Sequence, residues 1–148
     1  MINSKISGVG YFVPDNVVKN SHLEKMMNTT DEWIRERTGI EERRWVNDQK
    51  LTTSLMGTYA AENAISDAGI QRDDIDFIIF STLSPDYYFP GSGVLLQRNL
   101  KIKEIGALDV RNQCSGFIYG LSIADQYIKS GMYKNILVVG SEIHSGGL

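Results

Sequence analysis

The stretch ALDVRNQCSGFIYGLSIADQYIKSG, residues 107–131, decides the fold class. It opens with a short apolar run typical of a buried strand, passes Cys114, and continues into a helix that ends at Gly131. Apolar side chains cover an arc of about 200° on that helix, whereas packing against one sheet face needs only about 100–140°. We therefore expect a central helix that is buried both by a sheet and by a second layer.

Further apolar runs predict the other strands of this sheet. Residues 77–80 and 136–139 are continuous apolar runs bounded by polar residues, a pattern typical of strands that are covered on both faces. Residues 4–13 alternate loosely between apolar and polar side chains and stop at Pro14, which predicts one more strand.

Capping residues and terminal glycines predict helices between these strands. Ser21 with Glu24, and Thr29 with Glu32, have the spacing of a capping box. The predicted helices are residues 21–27, 29–38 before Gly39, 52–68 before Gly69, 93–100 and 115–130. Because strands and helices alternate along the chain, we expect an α/β fold with a mostly parallel sheet and helices on both faces.

The composition excludes several classes of protein. The 148 residues suit one ordinary domain, and 15 basic against 18 acidic side chains, a net charge of −3, argue against nucleic acid as the main partner. No apolar run approaches the roughly 18 residues of a membrane span, and the first twelve residues hold no apolar signal segment. A single cysteine cannot form an internal disulfide, which fits a reducing compartment.

Cys114 is the leading candidate for chemistry. It lies between a predicted strand and the amino end of a predicted helix, where backbone N–H groups and the helix dipole favour a thiolate. A thiolate attacks thioesters and forms a covalent acyl intermediate. Ser115 and Gly116 are small and leave room for a substrate carbonyl to approach backbone amides that form part of an oxyanion hole. The alternative is a buried cysteine that acts as a small hydrophobic residue.

Trp33 and Arg37 form a second candidate site. They are four residues apart, so an indole and a guanidinium lie on the same side of one short helix. Such a pair suits a nucleotide, because the indole stacks on a base while the guanidinium binds phosphate. The alternative is an amphipathic surface helix with Trp33 anchored in the core and salt-bridged arginines outside.

Other side chains carry weaker signals. His144 follows the last predicted strand, where sites of α/β proteins gather, and is either a partner of Cys114 or an ordinary loop histidine. His22 lies in a predicted capping turn, where we expect it to be solvated. The aromatic run at residues 87–90 is either a pocket or interface wall or a small core cluster. The sequence shows neither metal-ligand spacing nor a phosphate-binding glycine loop.

Three blocks of sequence, in this order, resemble the 3-oxoacyl-acyl-carrier-protein synthase III family of the thiolase-like superfamily. They are residues 29–44, residues 109–117 and residues 124–131. The resemblance covers essentially the whole chain. It implies a thiolase-like half-fold in which the helix after the cysteine is buried between two sheets.

The resemblance also assigns roles to individual residues. Cys114 matches the nucleophile that takes an acyl group, typically acetyl, from an acyl-coenzyme A. Trp33 matches the residue that stacks on the adenine of the coenzyme, and Arg37 and Thr29 match positions that contact its nucleotide end. Phe89 matches a residue near the dimer interface that bounds the acyl pocket.

The reaction implied by the resemblance is a decarboxylative condensation. Malonyl-acyl-carrier protein loses CO₂, and the resulting carbanion attacks the acylated cysteine to give a β-ketoacyl product that starts fatty acid synthesis in the cytoplasm. Acyl-coenzyme A and the acyl-carrier protein are thus the partners, in a homodimer with no resident cofactor or metal and with neither nucleic acid nor a membrane. The alternatives are a specialised relative that condenses or esterifies other acyl groups in secondary metabolism, and a non-catalytic α/β module with an inert, buried cysteine.

Two departures from the family accompany this resemblance. Arg111, Asn112 and Gln113 precede the cysteine where the family usually has small residues, so we expect a different site shape and an altered choice of acyl group. The resemblance further implies that residues 1–148 are the N-terminal half of a longer protein. The other half would carry a catalytic histidine, an asparagine and a glycine amide of the oxyanion hole, and without it we expect this chain to be inactive on its own.

Overall fold

The computed structural model describes residues 2–145, which divide into two compact units. We call residues 2–12 and 51–144 the sheet unit, and residues 13–50 with 145 the ribbon unit. The helices and strands, in chain order, are β1 (Val17–Lys19), α1 (Asn20–Leu23), α2 (Asp31–Thr38), β2 (Glu42–Arg44), α3 (Thr53–Ala68), β3 (Phe77–Ser81), α4 (Ser92–Leu100), β4 (Gly106–Val110), α5 (Gly116–Lys129) and β5 (Ile136–Gly140).

The sheet unit contains a parallel three-stranded sheet in the order β4-β3-β5. Phe77 of β3 pairs with Gly106 of β4 on one side and with Ile136 of β5 on the other. These are the three strands predicted from the continuous apolar runs, and every residue of β3 is buried. The α/β class, the parallel sheet and the helices on both faces are confirmed.

Helices α3 and α4 cover one face of the sheet, which we call the α3/α4 face. Alternate side chains of β3, Ile78 and Phe80, point into this layer and have no exposed surface. The remaining buried members of the cluster are Ala61, Ile65, Ile75, Leu96, Leu100, Leu137 and Val139. Helix α3 begins one residue after its predicted start, with Thr52 as its cap, and ends before Gly69, whose φ of 66° is the left-handed conformation that glycine adopts without strain.

Helix α5 alone covers the opposite face, which we call the α5 face. It approaches the strands with its small residues, so that Gly116, Gly120 and Ala124 are its buried positions. Phe117, Ile118 and Tyr119 are each more than 40% exposed. The long apolar arc predicted for this helix is therefore present, but among residues 2–145 no second layer covers its outer side, and the expected burial on two sides is not completed there.

The strand predicted at residues 4–13 is wrong for the part of the chain that the structure describes. The segment is extended but pairs with no described strand. It lies instead along α3, where a Cβ on Gly8 or Gly10 would collide with backbone atoms of Ala64 and Ala60. Side chains of α3 hold it there: the amide of Val9 donates to Asp67 at 2.9 Å.

The ribbon unit contains an antiparallel pair, β1 with β2, that the sequence patterns did not predict. The helix predicted at residues 21–27 is present but shorter than predicted, because α1 ends at Leu23 and Met26 and Met27 are exposed after it. Asn20 accounts for the early turn. Its buried side-chain amide donates to Asp31 at 2.7 Å and to the carbonyl of Ile40 at 2.8 Å, which fixes the chain between α1 and α2.

Helix α2 is present, with a cap one residue later than predicted. The hydroxyl of Thr30, not of Thr29, accepts the amide hydrogen of Trp33 at 3.1 Å. The helix ends at Gly39, as predicted, with a φ of 70°. Among the described residues, no helix combines the length and the apolar composition that crossing a bilayer requires.

Candidate active site

Cys114 is exposed, in the short connection between the end of β4 and the start of α5. The connection turns tightly, because the amide of Gly116 donates to the carbonyl of Gln113 at 2.9 Å. The buried hydroxyl of Ser81, at the end of β3, donates to the carbonyl of Gly116 at 2.9 Å and ties the first turn of α5 to the sheet. In the described chain the cysteine is thus accessible, not buried as a small hydrophobic residue.

The amino end of α5 is open to a ligand. Ser115 stands at the cap position and makes no side-chain hydrogen bond to the helix. The first N–H groups of a helix have no intrahelical partner, and the helix dipole adds positive potential at the same end. These groups, apart from the Gly116 amide that donates to Gln113, can stabilise the oxyanion that develops on a thioester carbonyl during attack.

Arg111 connects this site to the exposed aromatic segment. Its guanidinium lies 5.2 Å from the ring centre of Tyr88 and donates to the carbonyl of Tyr88 at 2.8 Å. Tyr88 and its neighbour Phe89 are more than 90% exposed. Of the three bulky residues before the cysteine, Arg111 therefore turns toward the aromatic segment and helps to hold it in place.

The carboxylate of Glu142 fixes the loops that follow β3 and β5 at the carboxyl edge of the sheet. Glu142 accepts hydrogen bonds from Thr82 at 3.1 Å, from the amide of Leu83 at 2.9 Å, and from both the amide and the hydroxyl of Ser84. Burial raises the pKa of Glu142, but the donors from Ser84, Leu83 and Thr82 outweigh it and hold the pKa below its usual range. An ionised Glu142 thus locks two loops together at the carboxyl edge of the sheet.

Two aspartates, Asp86 and Asp109, fix the amino ends of helices α3 and α4. Asp86 accepts the amide and hydroxyl of Ser54 at the start of α3 and the hydroxyl of Ser92 at the start of α4. Asp109, in β4, accepts the amides of Ser92 at 2.7 Å and Gly93 at 2.9 Å. Burial raises the pKa of Asp86, and hydrogen bonds from Thr52, Ser92 and Ser54 more than offset this, so its pKa is lowered.

Sequence reasoning missed Glu142 and Asp86 as site supports. The only local signal was the cluster of serine and threonine residues after β3, and the acceptor Glu142 lies 58 residues beyond Ser84.

In the ribbon unit, Trp33 and Arg37 form the pair that their spacing predicts. The Arg37 guanidinium lies 4.6 Å from the centre of the indole ring, and Trp33 is 51% exposed. Trp33 is therefore not the core anchor of the alternative interpretation. Arg35, on another side of the helix, forms the ion pairs, with Asp31 at 3.5 Å and with Glu41.

Thr29 precedes this helix and has an unusual hydroxyl. Its Oγ1 is buried and has no hydrogen-bond partner among the described residues. A buried polar atom without a partner is costly, so such an atom is a candidate to bind a ligand group. Thr29, Trp33 and Arg37 belong to the ribbon unit, whereas Cys114 and Phe89 belong to the sheet unit, and each set is described within its own unit.

The two histidines do not join this site. His144 is exposed after β5 and makes no hydrogen bond with Cys114 in the part of the chain that the structure describes. The ring of His22 packs edge-on against Trp45, with 5.8 Å between ring centres.

The chain is similar to condensing enzymes in sequence and in structure. A family model for 3-oxoacyl-[acyl-carrier-protein] synthase III matches residues 108–148. Beta-ketoacyl-[acyl-carrier-protein] synthase III 1 of Vibrio vulnificus is 52% identical over 139 residues, which are 94% of this chain and 44% of that relative. The solved 3-oxoacyl-[acyl-carrier-protein] synthase III of Aquifex aeolicus is 46% identical with a TM-score of 0.91, over 96% of this chain and 46% of that one.

A second kind of condensing enzyme has a similar fold. The solved priming beta-ketosynthase from the R1128 polyketide biosynthetic pathway is 33% identical with a TM-score of 0.88, over 93% of this chain and 41% of that one. The chain spans between 41% and 45% of the length of the curated relatives it matches. Identity near one half along almost all of its residues, together with the matching thiolase-like fold, shows that the chain belongs to the 3-oxoacyl-[acyl-carrier-protein] synthase III family.

Proposed function

We propose that Cys114 takes an acyl group, acetyl in the first instance, from an acyl-coenzyme A. The thiolate attacks the thioester carbonyl, a new carbon–sulfur bond forms, and the coenzyme leaves as its thiolate. The observation that carries the proposal is the exposed position of Cys114 at the open amino end of α5, in a chain of this family.

The acyl group then leaves Cys114 in a condensation. Malonyl-acyl-carrier protein loses CO₂, and the electron pair of the broken carbon–carbon bond attacks the acyl carbonyl on the cysteine. The carbon–sulfur bond breaks, the thiolate is restored, and a β-ketoacyl product remains on the carrier protein. This step would start fatty acid synthesis, and an exposed free thiol of this kind suits the reducing cytoplasm.

The proposed coenzyme site uses Trp33, Arg37 and Thr29. The indole is exposed and can stack on adenine, and Arg37 places a positive charge 4.6 Å from the ring, where it can reach phosphate. The orphan hydroxyl of Thr29 is available to a polar group of the nucleotide. We assign the exposed aromatic segment around Phe89 to the wall of the acyl pocket and to the contact between two copies of the protein.

The test of the first step is acyl transfer to the protein. Acetyl-coenzyme A is incubated with the chain, and intact mass and peptide mass spectrometry measure the acetyl group added. Because the sequence has a single cysteine, a thioester on the protein can only be at Cys114. We expect a single hydroxylamine-sensitive acetylation that Cys114→Ser abolishes, without turnover to a β-ketoacyl product, because the condensation needs the histidine and asparagine that the resemblance assigns to the other half. A thiol that reacts with iodoacetamide but never with acetyl-coenzyme A would contradict the proposal.

Coenzyme binding is tested separately from chemistry. Trp33→Ala should weaken coenzyme A binding, measured by calorimetry, by about tenfold through loss of stacking, since one base–aromatic stack contributes about 1–3 kcal/mol. Arg35→Ala, on the same helix but outside the indole pair, is the matched control and should leave affinity unchanged. Equal losses in both variants would point to general damage to α2 and would remove Trp33 from the site.

A specialised condensing enzyme is the second candidate, favoured by the similarity to a priming ketosynthase and by the residues before the cysteine. Arg111, three residues before Cys114, is bonded to Tyr88 and so joins the connection that carries the cysteine to the exposed aromatic segment. A panel of acyl-coenzyme A donors of different length and branching, scored by mass added at Cys114, separates the two. Preference for acetyl supports the first candidate, and preference for a longer or branched group supports the second.

A further inference from the structure

The aromatic segment, residues 87–90, is a short loop between two fixed ends. The amide of Asp86 donates to the hydroxyl of Ser92 at 3.3 Å, and that hydroxyl donates to the Asp86 carboxylate at 2.8 Å, so the two ends are bonded to each other. Ser92 has no exposed surface, and its amide donates to Asp109 at 2.7 Å. A Cβ on Gly91 would lie 2.5 Å from the Asp109 carboxylate, so the chain is closely packed where the segment ends.

The middle of the segment is held by one side chain. The rings of Tyr88 and Phe89 are almost fully exposed, so packing within the described chain does not fix them. Within residues 2–145, the one hydrogen bond that residues 87–90 make with another residue comes from Arg111, whose guanidinium donates to the carbonyl of Tyr88 at 2.8 Å. The same guanidinium lies 5.2 Å from the centre of the Tyr88 ring, within the range of cation–π attraction. Arg111 therefore fixes the position of the exposed tip.

Arg111 also belongs to the connection that carries the nucleophile. It is the first residue after β4, which ends at Val110, and it precedes Cys114 by three positions. Three residues of extended chain span no more than about 11 Å. All of these residues belong to the sheet unit. The tethered segment thus stands beside the connection of Cys114, at the carboxyl edge of the sheet.

The chemistry of the guanidinium suits a tether of this kind. A guanidinium is planar and carries its N–H donors in a fixed fork, so it donates to a carbonyl while its face lies over an aromatic ring. Arg111 makes both of these contacts with Tyr88. A lysine ammonium carries the same charge but is a point donor, so it makes one of the two contacts at a time. The contribution of Arg111 is therefore mainly one of geometry.

We propose that Arg111 is a positioning residue that limits the length of the acyl group that Cys114 accepts. Its two contacts draw the aromatic segment toward the connection of the cysteine and reduce the space beside the acyl group. Without them the segment moves outward between its fixed ends, and the space admits further methylene groups, whose burial is favourable. The inference rests on the proposed acyl transfer to Cys114 and on the assignment of the segment to the pocket wall, and it adds the residue that sets acyl length.

The first test lets two donors compete in one tube. Equal amounts of acetyl- and hexanoyl-coenzyme A are mixed with the chain, and mass spectrometry of the peptide that contains Cys114 gives the ratio of the two thioesters at early times. Arg111→Ala should raise the hexanoyl-to-acetyl ratio at least about threefold, the size expected when an exposed cation–π contact and a hydrogen bond are lost. A merely structural role would slow both donors together and leave the ratio unchanged.

The second test measures the segment itself, without acyl transfer. Chymotrypsin cleaves after Tyr87 and Tyr88, and Arg111→Ala should speed that cleavage at least about threefold because the tip is released. Cleavage after Tyr11, which is also exposed, is the internal control and should keep its rate.

Two more variants accompany both tests. Arg111→Lys should lie between the unsubstituted chain and Arg111→Ala, so that the thioester ratio and the cleavage rate change in parallel across the three chains. Arg98→Ala removes another exposed arginine, in the last turn of α4, and is the matched control that should leave both measurements unchanged. Circular dichroism spectra of all variants show that the fold is kept.

Three outcomes would overturn the inference. A thioester ratio in Arg111→Ala that stays constant or shifts toward acetyl, while Cys114 is still acylated, would contradict it and leave the proposed function standing. A shifted ratio without faster cleavage after Tyr87 and Tyr88 would place the effect of Arg111 at the cysteine and not in the segment. An unsubstituted chain that takes no acyl group from either donor would contradict the proposed function itself, and the inference would fail with it.

Discussion

The two faces of the central sheet are covered to different depths. On the α3/α4 face two helices enclose Ile78 and Phe80 completely, and Asp86 and Asp109 hold the amino ends of both helices in place. On the α5 face one helix approaches through small residues, and its outer side stays exposed. The first face is thus a finished core that stabilises the unit, whereas the second carries the exposed cysteine at its edge and leaves surface for binding.

The largest expected difference comes from removing one phenyl ring on each face. Phe80→Ala creates a cavity under α3 and α4 and should lower the free energy of unfolding by about 3–5 kcal/mol. Phe117→Ala removes the same ring from the start of α5, where it lies against Gly140 of β5 but is 42% exposed, and should cost about 1 kcal/mol. Urea unfolding followed by circular dichroism measures both, and equal costs would mean that the α5 face is packed as fully as the other.

Two helical glycines give a smaller and sharper comparison. A Cβ on Gly57 of α3 would lie 2.8 Å from Phe80, inside the finished core, so Gly57→Ala should destabilise the unit by about 1–3 kcal/mol through overpacking. A Cβ on Gly120 of α5 would lie 3.1 Å from Val138 and 3.2 Å from Ile79. Among the described residues no layer packs on the outer side of α5, and alanine gains about 1 kcal/mol in helix propensity over glycine, so Gly120→Ala should be close to neutral.

The measurement for this pair is the midpoint of thermal unfolding. A similar loss in both variants would show that α5 is held as rigidly as α3, and that the exposed side of α5 says little about its freedom to move.

The sequence alone predicted the elements whose signals are local. Residues 77–80 and 136–139 are apolar without interruption, and Gly39, Gly69 and Gly131 mark helix ends, so these features needed no knowledge of distant residues. The loose alternation at residues 4–13 is also a local signal, but whether an extended segment pairs as a strand depends on what lies beside it. Here the close approach of Gly8 and Gly10 to α3 places the segment against that helix and not beside a described strand.

The same distinction applies to the candidate site. The position of Cys114 before a helix follows from the order of local elements, and the contact of Trp33 with Arg37 follows from helical spacing. Glu142 and Asp86 act on residues that lie 58 and 32 positions away in the sequence. No periodicity or spacing rule connects residues at such separations, so these supports became visible only in the folded chain.

The smallest expected effect concerns two carboxylates with lowered pKa, one from each face. Hydrogen bonds from three side chains offset the burial of Asp86 and lower its pKa, whereas Lys129 and then Ser4 lower the pKa of Asp125 on the surface of α5. A carboxylate whose folded pKa is depressed stabilises the fold above its unfolded pKa of about 3.9, and this stabilisation is lost as the pH falls through the folded value. Asp86→Asn should therefore cost about 1–3 kcal/mol at neutral pH and flatten the loss of stability below about pH 4.

Asp125→Asn is the control for that measurement, because the Asp125 side chain is partly exposed and its pairing with Lys129 at the surface is screened by solvent. We expect its unfolding curves to follow those of the unsubstituted chain from neutral pH to about pH 3, since a surface pair contributes little to the free energy of unfolding. Asp125→Asn could instead reduce the loss of unfolding free energy at acid pH as much as Asp86→Asn does. The two carboxylates, one on each face, would then stabilise the fold equally. The unequal stability of those faces would then have to come from apolar packing alone, which the phenylalanine pair measures directly.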